Sequence, residues 1–127
     1  MIVAGVGFSS AASAAEIAEI VREAQARADA RVDRLATAQA RAALPAFAQA
    51  AARLRLPIEA VPPEVLRGAS GGVVSCSTRA QAAHDVGSVA EAAALAAAGA
   101  GATIVLARIS GARVTCALAR SAEEVPR

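Results

Sequence analysis

Two apolar runs near the C-terminus, ATIVLAR (residues 102–108) and RVTCALA (residues 113–119), are separated by only four residues, ISGA. Each run has the length and the β-branched content of a strand. A parallel pair needs a crossover of about a dozen residues or more, so two strands joined by so short a turn must pair antiparallel. The earlier apolar runs obey the opposite rule, because helix-length segments separate them. One sheet that holds both kinds of connection must be mixed.

The rest of the chain fills in that frame. MIVAGVG is a buried strand by length and glycine flank. A helix follows over about Ser13–Ala28, opened by an S-x-x-E capping box of Ser13 and Glu16. Ala14, Ile17, Ile20 or Val21, and Ala24 form its apolar stripe, while Arg22, Glu23 and Arg27 face water. A second strand spans Val32–Thr37. A helix spans about Leu44–Leu54, with Pro45 in its first turn. LPIEAVP is a third strand, closed by Pro62 and Pro63. A short helix follows at Glu64–Arg67, then the glycine-rich GASGG. STRAQAAHD reads as a short helix capped by Ser77, and Ser88–Ala98 as a longer one opened by a second capping box, Ser88 with Glu91. ATIVLAR and RVTCALA are the fourth and fifth strands. The expected fold is a single three-layer α/β/α domain with a mixed five-stranded sheet and an antiparallel C-terminal strand. The domain covers residues 1–120, and residues 121–127 are expected to fray.

Composition constrains how the layers meet. Of 127 residues, 39 are alanine, two are phenylalanine, and none is tryptophan or tyrosine. Such layers pack through Ala and Gly with close backbones. Lysine is absent, so all thirteen basic residues are arginine, whose planar fork suits carboxylates. A formal net charge of +2 without a basic run or an aromatic platform argues against nucleic acid. One histidine and two distant cysteines, Cys76 and Cys116, make no metal site. Cys116 lies mid-strand, where a buried reduced thiol is expected. The apolar start lacks a basic leader region, and the stretch Val89–Ala98 is too short to span a bilayer. A cytoplasmic protein with no membrane or cofactor is expected.

In an open α/β sheet, ligands bind outside the carboxyl ends of the strands. Three segments fall there. The first is GVGFSSAAS, with Gly5, Gly7, Phe8, Ser9, Ser10 and Ser13, whose helix start favours an anion by dipole and amide hydrogen bonds. It lacks the dinucleotide fingerprint: the third small position is Ser10, and no acid ends the second strand. A plain strand-to-helix turn would explain the same residues. The second segment is the end of strand two, with Thr37 and, just beyond, Arg41. The third is the start of the last helix at Gly87 and Ser88. Glu16, His84 and Glu91 are the candidates for a general base near this rim, but no paired acid and base or nucleophilic triad can be assembled from them. On these grounds a small-molecule binding module is favoured over an enzyme.

Laid out in order, these segments resemble the family formed by CobE and the C-terminal domain of CbiG, over about Ile2–Ala119. That family opens with G-[IV]-G-[CF]-R and then S/T-x-x-E-I, matched by Gly5, Val6, Gly7, Phe8, Ser13, Glu16 and Ile17. Leu35, Ala36, Thr37, Arg41 and Pro45 match its L-A-T segment, and RLRLPIEAVPPEVL its next strand and helix. Ser77 and Arg79 fit an S-P-R start. Val86, Ser88, Val89, Ala90, Glu91 and Leu95 match G-V-x-S-V-A-E-A-A-A-L, the most specific segment. Ser9 stands where the family has arginine, and Asp85 where it has glycine, so Arg41 or Arg79 would have to serve an anionic ligand instead.

The resemblance implies a role in making the corrin ring of vitamin B12. Full-length CbiG opens a lactone on a cobalt-precorrin; this chain resembles the stand-alone CobE of the aerobic route, so that hydrolase activity is not carried over. The leading expectation is non-catalytic binding of a precorrin or corrinoid intermediate, as a carrier or accessory protein. The alternatives are an enzyme acting on a precorrin and a structural partner of a pathway enzyme. Ala-rich helix faces would suit such a partner or a homodimer.

Overall fold

The computed structural model of the chain describes residues 1–69, 86–99 and 101–122. Its elements run β1 (Ile2–Phe8), α1 (Ala14–Ala28), β2 (Arg34–Ala38), α2 (Gln39–Ala42), α3 (Pro45–Leu54), β3 (Ile58–Val61), α4 (Pro63–Ala69), α5 (Val86–Ala98), β4 (Thr103–Ser110) and β5 (Val114–Arg120). The five strands form one sheet in the order β3-β2-β1-β5-β4. β1 pairs parallel with β2, and β2 with β3, while β5 pairs antiparallel with both β1 and β4. The mixed sheet and its antiparallel C-terminal strand are therefore as the hairpin spacing requires. The helix expected at STRAQAAHD lies outside the described residues, as do Cys76, Arg79, His84 and Asp85.

Helix α1 follows its sequence signals closely. Ser13 is extended at the N-cap; its Oγ accepts from the Glu16 amide at 3.1 Å, and Glu16 Oε1 accepts from the Ser13 amide at 2.9 Å. The buried face is Ala14, Ile17, Ala18, Ile20, Val21 and Ala24, so Ile20 and Val21 both turn inward. α3 starts at Pro45, which suits the first turn, and ends in a Schellman motif in which the Leu56 amide donates to the Ala51 carbonyl at 3.0 Å. α5 ends at Gly99, whose φ of +98° is the left-handed stop that glycine permits. The fourth strand runs two residues past its expected end, through Ser110, and the turn closes with the Gly111 amide donating to the Val114 carbonyl at 2.7 Å. Ser121 is docked rather than frayed: it is buried, and its amide donates to the Met1 carbonyl at 2.9 Å.

The two faces of the sheet pack differently. On one face, α1 and α3 cover Ala4, Val6, Phe8, Leu35, Cys116 and Leu118 with Ile17, Ile20, Val21 and Phe47. These side chains are large, and the two phenylalanines of the chain stack there, with ring centroids 5.6 Å apart and planes within 8°. On the other face, α5 covers Val3, Ala36 and Ala119 with Ala93, Ala94, Leu95 and Ala98, and α4 packs on α5 in turn. A helix whose one charged residue is Glu91 belongs between two such neighbours. This small-residue layer is where the alanine content finds its use.

Cys116 is fully buried, and desolvation pushes its thiol up to about 12. Since the thiolate is the reactive form, a Cys76→Ser variant is expected to resist an aromatic disulfide reagent at pH 8 until denaturant unfolds it. Stoichiometric labelling in native buffer would contradict this burial.

Candidate functional site at the C-terminal edge of the parallel strands

β1 ends at Phe8 and its parallel neighbour β2 at Ala38, so Ser9–Ser13 and Gln39–Leu44 emerge on the same edge of the sheet. α5 returns to this edge. Its C-terminal end leads through Gly99–Ala102 into Thr103, which pairs with Arg120, itself opposite Ile2. The C-terminus of α5 is thus at the Ile2 end of β1, and its N-terminus at the Phe8 end. Residues Ala90 and Ala94 lie over Gly5. One turn earlier, about 6 Å along the axis, Val86 and Gly87 stand near the level of Gly7. The starts of α1 and α5 therefore meet one rim from opposite faces of the sheet.

The structure divides the expected site residues into rim and floor. Ser9, Ser10, Ser13, Arg41 and the first turn of α5, with Gly87 and Ser88, lie along the rim. Gly5, Gly7, Phe8 and Thr37 do not. Gly5 and Gly7 are inside β1 rather than in a turn, because the strand continues to Phe8. A Cβ on Gly5 would sit 2.0 Å from the Ala90 carbonyl oxygen and 2.5 Å from the Ala94 nitrogen, so this glycine serves the close approach of α5. Phe8 is buried against Phe47. Thr37 is buried, and its hydroxyl donates to the Val6 carbonyl at 2.7 Å, bracing β2 against β1. His84 lies outside the described residues.

The first loop is largely tied to itself. The Ser9 amide donates to the Arg113 carbonyl at 3.1 Å, the Ala11 amide to Ser9 Oγ at 3.3 Å, and the Ala12 amide to the Ser9 carbonyl at 3.0 Å. With the Ser13 and Glu16 amides in the capping box, the donors of this segment outside these bonds are those of Ser10, Ala14 and Ala15, the last two having no carbonyl one turn back inside the helix. Glu16 Oε2 also accepts from Arg113 Nη1 at 3.0 Å. The Ser13 amide and the Arg113 guanidinium together hold its carboxyl below the usual carboxylate range. Arg113 thus fastens the β4–β5 turn to the start of α1. Sequence reasoning missed it because its two partners lie about a hundred residues away and no spacing rule links them.

The second S-x-x-E pattern, Ser88 with Glu91, lies within α5. α5 begins at Val86, so Ser88 is inside the first turn rather than at the cap. Glu91 is fully buried, and its Oε2 accepts from the Arg108 backbone amide of β4 at 3.0 Å. Arg41 sits in α2, partly exposed, and among the described residues no acidic side chain pairs with its guanidinium. A separate cavity of about 210 Å³ lies between α1 and the β4–β5 turn, lined by Glu16, Glu19 and Glu23 with Ile20 and Gly111. Its acidic wall suits an anionic ligand poorly, and it is smaller than a usual pocket for a drug-sized molecule. Among the described residues no group of acidic, histidine or cysteine side chains could hold a metal ion. No helix among them is long and apolar enough to cross a membrane.

Comparison with known proteins adds the family. The model of the cobalamin synthesis G C-terminus family matches residues 2–119. The chain belongs to this family. Two solved structures agree. The cobalamin biosynthesis protein chiG from Agrobacterium tumefaciens is 35% identical, with a TM-score of 0.80 over 96% of this chain and 99% of that one. CobE, a protein from the cobalamin (vitamin B12) biosynthetic pathway, is 31% identical, with a TM-score of 0.82 over 94% of this chain and 89% of that one. A cobalamin biosynthesis protein G homolog from Sulfolobus solfataricus shares the fold at 18% identity, with a TM-score of 0.67, and this chain matches 36% of its length. No curated protein sequence matches. The CobE and CbiG resemblance read from the motifs is thus the family to which the chain belongs, and their mixed sheet is the sheet found here.

Proposed function

We propose that the rim binds a precorrin or corrinoid intermediate of cobalamin biosynthesis, and that the chain acts as a carrier or accessory protein of that pathway. The observation that carries this reading is the meeting of the α1 and α5 starts on one edge of the sheet, the edge from which α2 with Arg41 also emerges. A corrinoid intermediate carries several acetate and propionate groups around a flat ring. Helix starts offer partial positive charge and amide donors to carboxylates, and arginine grips them in a fork. Membership of a cobalamin family supplies the chemical class of ligand. With Ser9 in place of the family's arginine and Arg113 engaged by Glu16, Arg41 is the rim arginine proposed to meet the ligand.

The test is a titration of the purified chain with pathway intermediates, followed by pigment absorbance and co-elution. The protein has no Trp or Tyr, so it adds little near-ultraviolet absorbance of its own. A spectral shift with co-elution is expected. Arg41→Ala is expected to weaken binding by about tenfold or more, the scale of one charge-assisted hydrogen bond. Absence of a shift and of co-elution with every intermediate would sink the proposal, and full affinity in the Arg41 variant would remove Arg41 from it.

A further inference from the structure

Glu91 is a fully buried acidic residue in a largely apolar helix, and its Oε2 accepts from a backbone amide in another layer. That amide, of Arg108, lies where β4 departs from regular pairing. Ile104 faces Ala119 and Leu106 faces Leu118, but Ile109 faces Cys116, so β4 carries an extra residue in each of the two intervals. A bulge leaves an extra residue without its cross-strand bond. Within the second of these intervals the Arg108 amide donates to Glu91 Oε2 at 3.0 Å.

We propose that Glu91 is a positioning residue: its hydrogen bond to the β4 bulge fixes where the first turn of α5 stands at the rim. The contact of Gly5 with Ala90 and Ala94 sets how near α5 comes to the sheet. It does not set rotation or sliding, because alanine faces offer few long side chains to interlock. Burying a carboxylate is costly unless it is well bonded, and an apolar side chain of similar size would fill the same space. What the carboxylate adds is direction. Its bond lies little more than one turn from Val86, so it holds the part of α5 that reaches the rim. The consequence for ligand affinity rests on the proposed function; the consequence for α5 does not.

Hydrogen exchange on the full chain tests the clamp without any ligand. Glu91→Leu removes the acceptor and retains apolar bulk. It is expected to raise exchange at the Arg108 amide and over residues 89–93, the first α5 amides with a carbonyl one turn back, by about tenfold or more, the loss of one buried hydrogen bond. Glu91→Gln retains a carbonyl acceptor and is expected to keep most of the protection. Exchange within twofold of the parent in Glu91→Leu would overturn the proposal. So would loss of Arg108 protection in Glu91→Gln, which also serves if the leucine variant does not fold. In pigment titrations, Glu91→Leu is expected to bind about tenfold more weakly while Glu91→Gln stays near the parent. Unchanged affinity in a leucine variant with raised exchange would refute the effect on the rim. A parent chain that binds no pigment would sink the proposed function and leave the exchange result standing.

Discussion

Gly5→Ala is expected to lower stability by about 3 kcal/mol or more, at or above the top of the usual overpacking range. The reason is geometric. The added methyl would lie 2.0 Å from the Ala90 carbonyl oxygen and 2.5 Å from the Ala94 nitrogen, and both are backbone atoms of α5. No rotamer change relieves such a contact, so the whole helix must move away from β1, separating Ala93, Ala94 and Ala98 from Val3, Ala36 and Ala119. Trimming the facing side chain tests this account. In Gly5→Ala with Ala94→Gly, the 2.9 Å contact with the Ala94 Cβ disappears but both backbone contacts stay, so stability is not expected to return. Gly111→Ala is the control: its nearest new neighbour is a Val114 methyl carbon at 3.3 Å, and a small change of about 0.5 kcal/mol is expected. Urea unfolding followed by far-ultraviolet circular dichroism measures all three, since the chain has no Trp to report by fluorescence. A Gly5→Ala midpoint equal to that of Gly111→Ala would refute the close-approach account.

Gly5 also shows what the sequence could not convey. A glycine pair after an apolar run reads as a turn, because the letter is the same whether glycine supplies a positive φ or room for another backbone. Only the helix across the sheet tells the two apart, and that helix lies about ninety residues further on. The two S-x-x-E patterns make the same point. At Ser13 the pattern is a capping box, because the residues before it form a loop that ends there. At Ser88 the identical spacing falls inside a helix that starts at Val86, and Glu91 Oε2 accepts from the Arg108 amide in the irregular stretch of β4. Local spacing is legible when the partner is local. The bulge arises from the register of β4 on β5, to which no short pattern corresponds. The mixed sheet was legible because connection length alone decides whether strands can run parallel. The rim was legible in outline, since strand ends follow from the same logic. Its division into rim and floor was not, because it depends on β1 reaching Phe8 and on Thr37 turning its hydroxyl to Val6.

Phe47→Ala is expected to cost about 3–5 kcal/mol, the usual range for removing a buried aromatic side chain. Phe47 has no exposed surface, and it stacks on Phe8, the last residue of β1, at a centroid distance of 5.6 Å. The same core cluster holds Ile17, Val21, Leu35 and Leu118, all without exposed surface, and a close-packed layer of this kind closes only part of a cavity of that size. Phe47→Leu should recover most of the loss by keeping apolar volume, which separates packing from the preference of the ring pair for stacking, about 0.5–1.5 kcal/mol. The same pair bears on the rim. Phe8 anchors the strand end from which Ser9–Ser13 departs, and its ring is only 2% exposed, so it supports the loop from beneath rather than touching a ligand. Phe8→Leu should therefore lower the unfolding midpoint more than it lowers pigment affinity at temperatures where the variant is folded. A loss of affinity with an unchanged midpoint would place Phe8 at the ligand after all. The sequence assigned Phe8 to the ligand because it follows Gly7 at a strand end. The structure assigns it to the core because it is buried against Phe47, thirty-nine residues on and the other phenylalanine of the chain.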